Sequence, residues 1–268
     1  MDDAEAVLAR YLKAQEDKDL DALVSCWHPD IEAFHPLRPD RSWQGRETYQ
    51  RQWARIWEHN PNSRFEVTSA DVVGSRIYLD ASVEHGDGTM VPCMNILEVE
   101  DGQIRRARVF TDVPVHDGAS MDDFTTGLNP DLDSEVPGDA ADAFVAALNA
   151  HDVEAVEGCF HPDFEMIVPQ KPARGFKGRE QEVENMRFLF ETYPDFHVTP
   201  LRKTVAGNQI WTENQATATG LEMAAVTIWE LDETTGQIRR GRFYSEPVQH
   251  DAPPIDAFMH SLGQPPSP

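Results

Sequence analysis

The chain has 268 residues, 40% hydrophobic and 26% charged, with 13 Phe and 6 Trp. This length predicts about two domains, and so many large apolar side chains exclude whole-chain disorder. Its 47 acids against 23 bases leave a net charge of −24, which argues against nucleic-acid and anionic-membrane partners, because phosphate backbones and acidic lipids would be repelled.

The N-terminal pattern predicts a helix over residues 4–17, with Val7, Leu8, Tyr11 and Leu12 at helical spacing. Asp19 is a suitable N-cap for a second helix, Leu20 to Trp27. His28-Pro29-Asp30 is expected to end it, followed by a short strand from Ile31 to Phe34. A third helix is expected over 46–58, carrying Tyr49, Trp53, Ile56 and Trp57 on one side. From there β-signals dominate: Phe65–Val73, Arg76–Glu84, Met90–Glu100 and Gln103–Asp112, with Gly74-Ser75 and Asp101-Gly102 as turns.

The same order then recurs. Cys26-Trp27-His28-Pro29-Asp30 matches Cys159-Phe160-His161-Pro162-Asp163, and Gly45-Arg46-Glu47 matches Gly178-Arg179-Glu180, both at an offset of 133. Gly102-Gln103-Ile104-Arg105-Arg106 matches Gly236-Gln237-Ile238-Arg239-Arg240 at 134, as do Phe124 and Leu128 with Phe258 and Leu262. A period this long is far beyond a solenoid repeat, so each copy is one domain. The expected division is 1–129, a linker over 130–138, and 139–268. Helices near 140–150, 152–160 and 179–192 and strands near 196–206, 209–218, 222–231 and 237–246 complete the second copy. Helices followed by a long antiparallel sheet make an α+β arrangement. The acid excess is shared, net −13 for residues 1–134 and −11 for 135–268, which reads as solubility and not as a partner surface.

Three cysteines without CxxC spacing give neither a disulfide framework nor a cysteine zinc site. The acidic start, Met1-Asp2-Asp3-Ala4-Glu5, lacks the apolar stretch of a signal peptide. Apolar runs are too short to span a bilayer, so a soluble, cytoplasmic protein is expected. No HxH, HExxH, GxGxxG, P-loop or GxSxG motif occurs, so no metal and no cofactor are expected.

Several features together resemble the nuclear transport factor 2-like superfamily, and within it the SnoaL-like polyketide cyclases. They are the aromatic-His-Pro-Asp segment, the Gly-Arg-Glu helix start and a final hairpin carrying Glu98-Val99-Glu100-Asp101-Gly102-Gln103-Ile104. The resemblance covers nearly the whole chain, once per half. It implies two cone-shaped α+β barrels, each a curved sheet wrapped around a long helix with a pocket at the open end. Ketosteroid isomerase, scytalone dehydratase and limonene epoxide hydrolase share this fold. Many relatives dimerise through the sheet, so the resemblance also implies that the two halves pair with each other as a covalent pseudo-dimer. The fold hosts many chemistries and does not choose among them.

The resemblance places the end of the first short strand in the pocket, where His35 is the candidate proton carrier. It places a catalytic Asp near Asp112, at the end of the last strand, with Glu246 as its counterpart. Arg108 and Arg242 precede these acids by four residues, and on an unbulged strand would share their face. Asp80 alternates with Tyr78, Ser82 and Glu84 and is a candidate second carboxylate; Glu213 is its counterpart. The alternation alone leaves open whether this face or the Leu79/Ala81/Val83 face lines the cone. Asn95, in an apolar strand, is a candidate ligand contact, with Thr227 as its counterpart. Tyr49 and Trp53 are candidate pocket walls. His28 and His161 read as structural. Val168 stands where the first copy has His35, so the second copy is expected to be degenerate.

Two readings of function follow. In one, the first copy is a cofactor-free acid–base enzyme for a small, largely apolar, oxygenated metabolite. In the other, the chain is a non-catalytic small-molecule binding or pseudo-dimeric interaction module.

Overall fold

A computed structural model describes residues 3–35, 42–84, 90–111, 139–169 and 174–247, without the side chains of Thr111, Glu246 and Pro247. It divides into two compact units, Met1–Pro114 and Val115–Pro268. The expected linker at 130–138 and the Phe124/Leu128 and Phe258/Leu262 matches lie outside the described residues, as does Asp112.

In the first unit, α1 (Asp3–Asp17) and α2 (Leu20–Ser25) lead into β1 (Trp27–Phe34), β2 (Trp43–Gln44) and α3 (Arg46–His59). Then come β3 (Phe65–Val73), β4 (Arg76–Glu84), β5 (Met90–Glu100) and β6 (Gln103–Thr111). The second unit repeats this as α4 (Ala140–Asn149), α5 (Val153–Cys159), β7 (Phe160–Ile167), β8 (Phe176–Lys177), α6 (Arg179–Thr192), β9 (His197–Ala206), β10 (Gln209–Ala218), β11 (Leu221–Leu231) and β12 (Ile238–Pro247). Each unit is an open six-stranded sheet, ordered β2-β1-β6-β5-β4-β3 and β8-β7-β12-β11-β10-β9. The pairings are antiparallel except β1 with β6 and β7 with β12, which are parallel.

Local chemistry explains the boundaries. Asp19 caps α2 by accepting from the Ala22 amide at 2.9 Å, and Asp152 does the same for α5 through Ala155 at 3.0 Å. The expected second helix stops at Ser25, because Trp27 already pairs with Ile104. His28-Pro29-Asp30 therefore lies inside β1, where pairing slips between Trp27 and Glu32. The His28 ring holds this irregularity: its Nδ1 accepts from the Asp30 amide at 3.1 Å, and His161 does so with Asp163 at 3.1 Å. Both histidines are thus structural, with the ring and not the aspartate making the bond. Helices α3 and α6 start after Gly45 and Gly178, at φ 84° and 101°, a backbone region where a side chain is strained. The two-residue strands β2 and β8 were too short to show a period.

Each sheet has one face under its helices. In the first unit Ile77, Leu79, Ala81, Cys93, Leu97, Ile104 and Ala107 pack with Val7, Tyr11, Leu23 and Tyr49. In the second, Ile210, Ala216, Met223, Trp229 and Ile238 pack with Phe144, Leu148, Met186 and Leu189. A bulge near the start of β6 shifts the register between Glu98 and Val99, and β12 repeats it between Glu230 and Leu231. It lets Ile104 and Ala107, three residues apart, share one face.

Gly241 occupies the position of Ala107 and has no room for more. A Cβ there would lie 2.9 Å from the Trp229 ring and 3.1 Å from Met166. We expect Gly241→Ala to destabilise the second unit by about 1–3 kcal/mol through overpacking, measured as a lower urea midpoint with an unchanged slope.

Candidate functional site

Each unit contains a cavity between its helices and the covered face of its sheet. The first has a volume of about 480 Å³. Helices α1 and α3 contribute Tyr11, Tyr49, Gln52, Trp53 and Ile56; β1 and its end contribute Trp27, Ala33 and His35; β4 to β6 contribute Val83, Val91, Cys93, Asn95, Ala107 and Val109. The structure therefore brings four of the sequence candidates, His35, Asn95, Tyr49 and Trp53, into one cavity. Tyr11 and Gln52 join them and were not singled out by sequence, because Tyr11 reads as an ordinary core position.

An aromatic wall shapes this space. The rings of Trp27 and Tyr49 are 3.9 Å apart, Trp43 and Tyr49 4.9 Å, and Tyr49 and Trp53 5.9 Å. Gln15 donates to the Tyr11 hydroxyl at 3.2 Å. Burial pushes the Tyr11 and Tyr49 phenols up, so both are neutral hydrogen-bond donors across the working pH range. Asn95 donates to Cys93 Sγ at 3.7 Å, and burial drives that thiol up to about 12, leaving it an inert wall group. The His35 backbone amide donates to Ser42 Oγ at 3.0 Å, which fixes the chain where β1 ends. Among the described lining residues, His35 is the only histidine.

Other candidates lie elsewhere. Leu79 and Ala81 belong to the core under the helices and Val83 lines the cavity, so Asp80 projects to the opposite face, where it is 2% exposed. Arg108 is also on that face, buried against the Phe110 ring with its guanidinium carbon 5.5 Å from the centroid. In the second unit Glu213 is on the corresponding face, ion-paired to Arg202 at 3.5 Å, and Arg242 precedes the cavity-lining Phe243. Neither Asp80, Arg108, Glu213 nor Arg242 is among the residues lining these two cavities. The Glu246 side chain, like Asp112, is outside the described residues.

The second cavity is smaller, about 130 Å³, and almost wholly apolar. Val168 lines it where His35 lines the first, and Thr227 where Asn95 does. It also contains a carboxyl that sequence reading passed over. Glu182, 3% exposed on α6, occupies the position of Tyr49 and lines the cavity with Asn185, Met186 and Leu189. The signal was present: a glutamate on the i, i+3, i+4, i+7 stripe that faces the core. Burial raises its pKa from 4.5 to about 7, against a smaller opposing effect of the Asn185 hydrogen bond.

The sequence profile of the SnoaL-like domain matches residues 8–107 and again 141–241. The chain belongs to the SnoaL-like domain family. Among solved structures, it is similar to a candidate ketosteroid isomerase from Kribbella flavida, at 18% identity and a TM-score of 0.37, covering 51% of this chain and 91% of that one. A nuclear transport factor 2-like protein of unknown function from Mesorhizobium loti gives 21% identity, 41% and 90% coverage and a TM-score of 0.37. A candidate polyketide cyclase from Sinorhizobium meliloti gives 22%, 39% and 93%, and 0.35. No curated protein matches. Among the described residues, no helix of this SnoaL-like chain is long and apolar enough to cross a membrane, and no group of three or more His, Cys, Asp or Glu could hold a metal ion.

The raised Glu182 pKa ties stability to pH. Unfolded, the group ionises near 4.5; folded, near 7. Between these values the folded state holds the extra proton, so the stabilisation it represents is fully present below about 4.5 and lost as pH rises through about 7. We expect Glu182→Gln to unfold at higher urea than wild type at pH 8, by about 3 kcal/mol, with the advantage shrinking towards pH 5. An equal difference at both pH values would contradict a neutral buried carboxyl.

Proposed function

We propose that the first unit binds a small, largely apolar, oxygenated molecule and catalyses a cofactor-free proton transfer on it, with His35 as the proton carrier. The observation that carries this reading is the cavity itself. An aromatic enclosure of about 480 Å³ gathers an imidazole, an amide and two neutral phenols, the composition of a site that holds an apolar body and orients one polar end. Through an unprotonated ring nitrogen, His35 can take a proton from carbon or hydroxyl and return it elsewhere on the same molecule. The Tyr11 and Tyr49 hydroxyls are hydrogen-bonded to each other, and the remaining proton of the pair is suited to donate to an oxygen on which negative charge develops. Asn95 supplies a further donor and acceptor. Asp112, one residue past β6, is the second proton carrier in this reading.

Isomerisation, cyclisation, dehydration and epoxide opening all fit these groups. The names borne by the similar proteins, ketosteroid isomerase and polyketide cyclase, fall within this range. A thermal-shift screen of oxygenated terpenoids, steroids and polyketides identifies the class, and turnover is then followed for each stabilising compound. With a confirmed substrate, His35→Ala is expected to lower kcat by about 10²–10⁴-fold while leaving the protein folded. Unchanged turnover in both His35→Ala and Asp112→Asn would sink the assignment. Stabilisation without turnover of any such compound would favour a binding module instead.

A further inference from the structure

The second unit departs from the first by more than the loss of a histidine. We propose that it has a ligand site of its own, in which the Glu182 carboxyl hydrogen-bonds the oxygen of a single-ring ketone. Size sets the first limit. The cavity volume of about 130 Å³ is close to that of an engineered protein cavity, about 150 Å³, that takes up benzene. Phe144, Leu148, Met186, Met223 and Trp229 supply apolar walls that favour a ring over water.

Polarity sets the second. On the sheet side, Thr212 donates its hydroxyl proton to the Thr227 carbonyl at 3.3 Å and accepts from Asn214 Nδ2 at 3.2 Å. A hydroxyl has one proton, so this order fixes the Asn214 amide with its oxygen turned away from Thr212. The Thr212 hydroxyl is thereby fully used, while the buried Asn214 Oδ1 has no hydrogen-bond partner among the described residues. On the helix side stands Glu182, the only ionisable side chain among the described lining residues. Of the charged residues on neighbouring elements, Arg179 pairs with Glu157 at 3.4 Å and Lys177 with Glu165 at 2.9 Å, while Arg174, just before β8, is buried but is not among the described lining residues. Glu180, Glu184 and Arg187 on α6 are exposed. Asn185 is the one side chain that acts on the carboxyl.

With no cation among the described lining residues, the carboxyl is neutral over the lower part of the physiological range and is a hydrogen-bond donor. A carbonyl oxygen is its natural partner. Once ionised, the carboxylate would face carbonyl lone pairs and repel them. The replacement of Tyr49 by Glu182 thus changes an aromatic wall into a polar contact at the same point of the fold. This site is independent of the His35 reading.

Methionine methyls report on it selectively. Met166, Met186 and Met223 line the second cavity, and no methionine is among the described residues lining the first. Cyclohexanone is titrated into full-length protein carrying ¹³C-methyl methionine, with the three signals assigned by Met→Leu variants. At pH 6 all three are expected to shift, with affinity falling about tenfold or more by pH 8.5 as the neutral fraction drops. Glu182→Gln, which keeps a donor, should bind at both pH values without that fall, and His35→Ala should titrate like wild type. Absence of shifts at pH 6 would overturn the proposal, as would an equal response to cyclohexane or a pH dependence that survives in Glu182→Gln. The wild-type titrations decide the matter even if the glutamine variant does not fold.

Discussion

Both units depend on the alternation of side chains across a pleated sheet. Successive residues of a strand point to opposite faces, and the described helices pack on one face of each sheet. In β4 this sends Leu79, Ala81 and Val83 inward and leaves Tyr78 and Asp80 on the other side. In β10 it sends Thr212, Asn214 and Ala216 to the cavity and Glu213 away from it. A strand residue cannot serve both faces, so the strand-borne polar groups of the cavities come from positions that interrupt an apolar stripe: Asn95 in β5, Thr212 and Asn214 in β10, and Thr227 in β11. The rest arrive from helices, as Tyr49 and Glu182, or from the free end of β1, as His35.

The repeat keeps this framework and changes its contents in a coordinated way. Leu97 and Ala107 are paired in register in the first unit, and Trp229 and Gly241 in the second. The larger ring needs the missing methyl, since a Cβ on Gly241 would sit 2.9 Å from it. The bulk of Trp229 is one reason that the second cavity is about 130 Å³ against about 480 Å³ in the first. Polarity is redistributed as well. Tyr49 gives way to Glu182, Leu79 to Thr212, Ala81 to Asn214, and His35 to Val168. Judged by the His35 position alone, the second copy looks degenerate; judged by the whole cavity, it is differently equipped.

Much of this fold is legible in the sequence. The two longer helices and the four main strands of each copy and the Asp19 cap follow from periodicity and turn chemistry, and the offset of 133–134 residues reveals the duplication. His35, Asn95, Tyr49 and Trp53 can be placed at a pocket because the family resemblance supplies a frame for them. Less legible are features that depend on long-range pairing. The slip in β1 at His28-Pro29-Asp30 appears only once β1 lies beside β6. The two-residue strands have no period to detect. Glu182 escapes notice for a different reason. A glutamate in a helix is ordinarily taken as solvent-facing, and its burial emerges only when its stripe partners Asn185, Met186 and Leu189 are read as core.

The placement of the arginines shows how one local irregularity governs the site. Strict alternation from Ile104, which is fully buried in the core, would carry Arg106 and Arg108 to the same inward face. The bulge at the start of β6 inserts one residue and reverses the parity, so Ala107 and Val109 turn inward and Arg108 turns out. In β12 the same shift turns Gly241 and Phe243 inward and Arg242 outward. The Gly-Gln-Ile-Arg-Arg segment that carries it is one of the strongest matches between the copies. Without the bulge, each apolar cavity would contain two guanidinium groups at a heavy desolvation cost, and the Glu182 carboxyl would not stay neutral beside them. The apolar character of both cavities, and with it the chemistry open to His35 and Glu182, thus rests on a single extra residue in each closing strand.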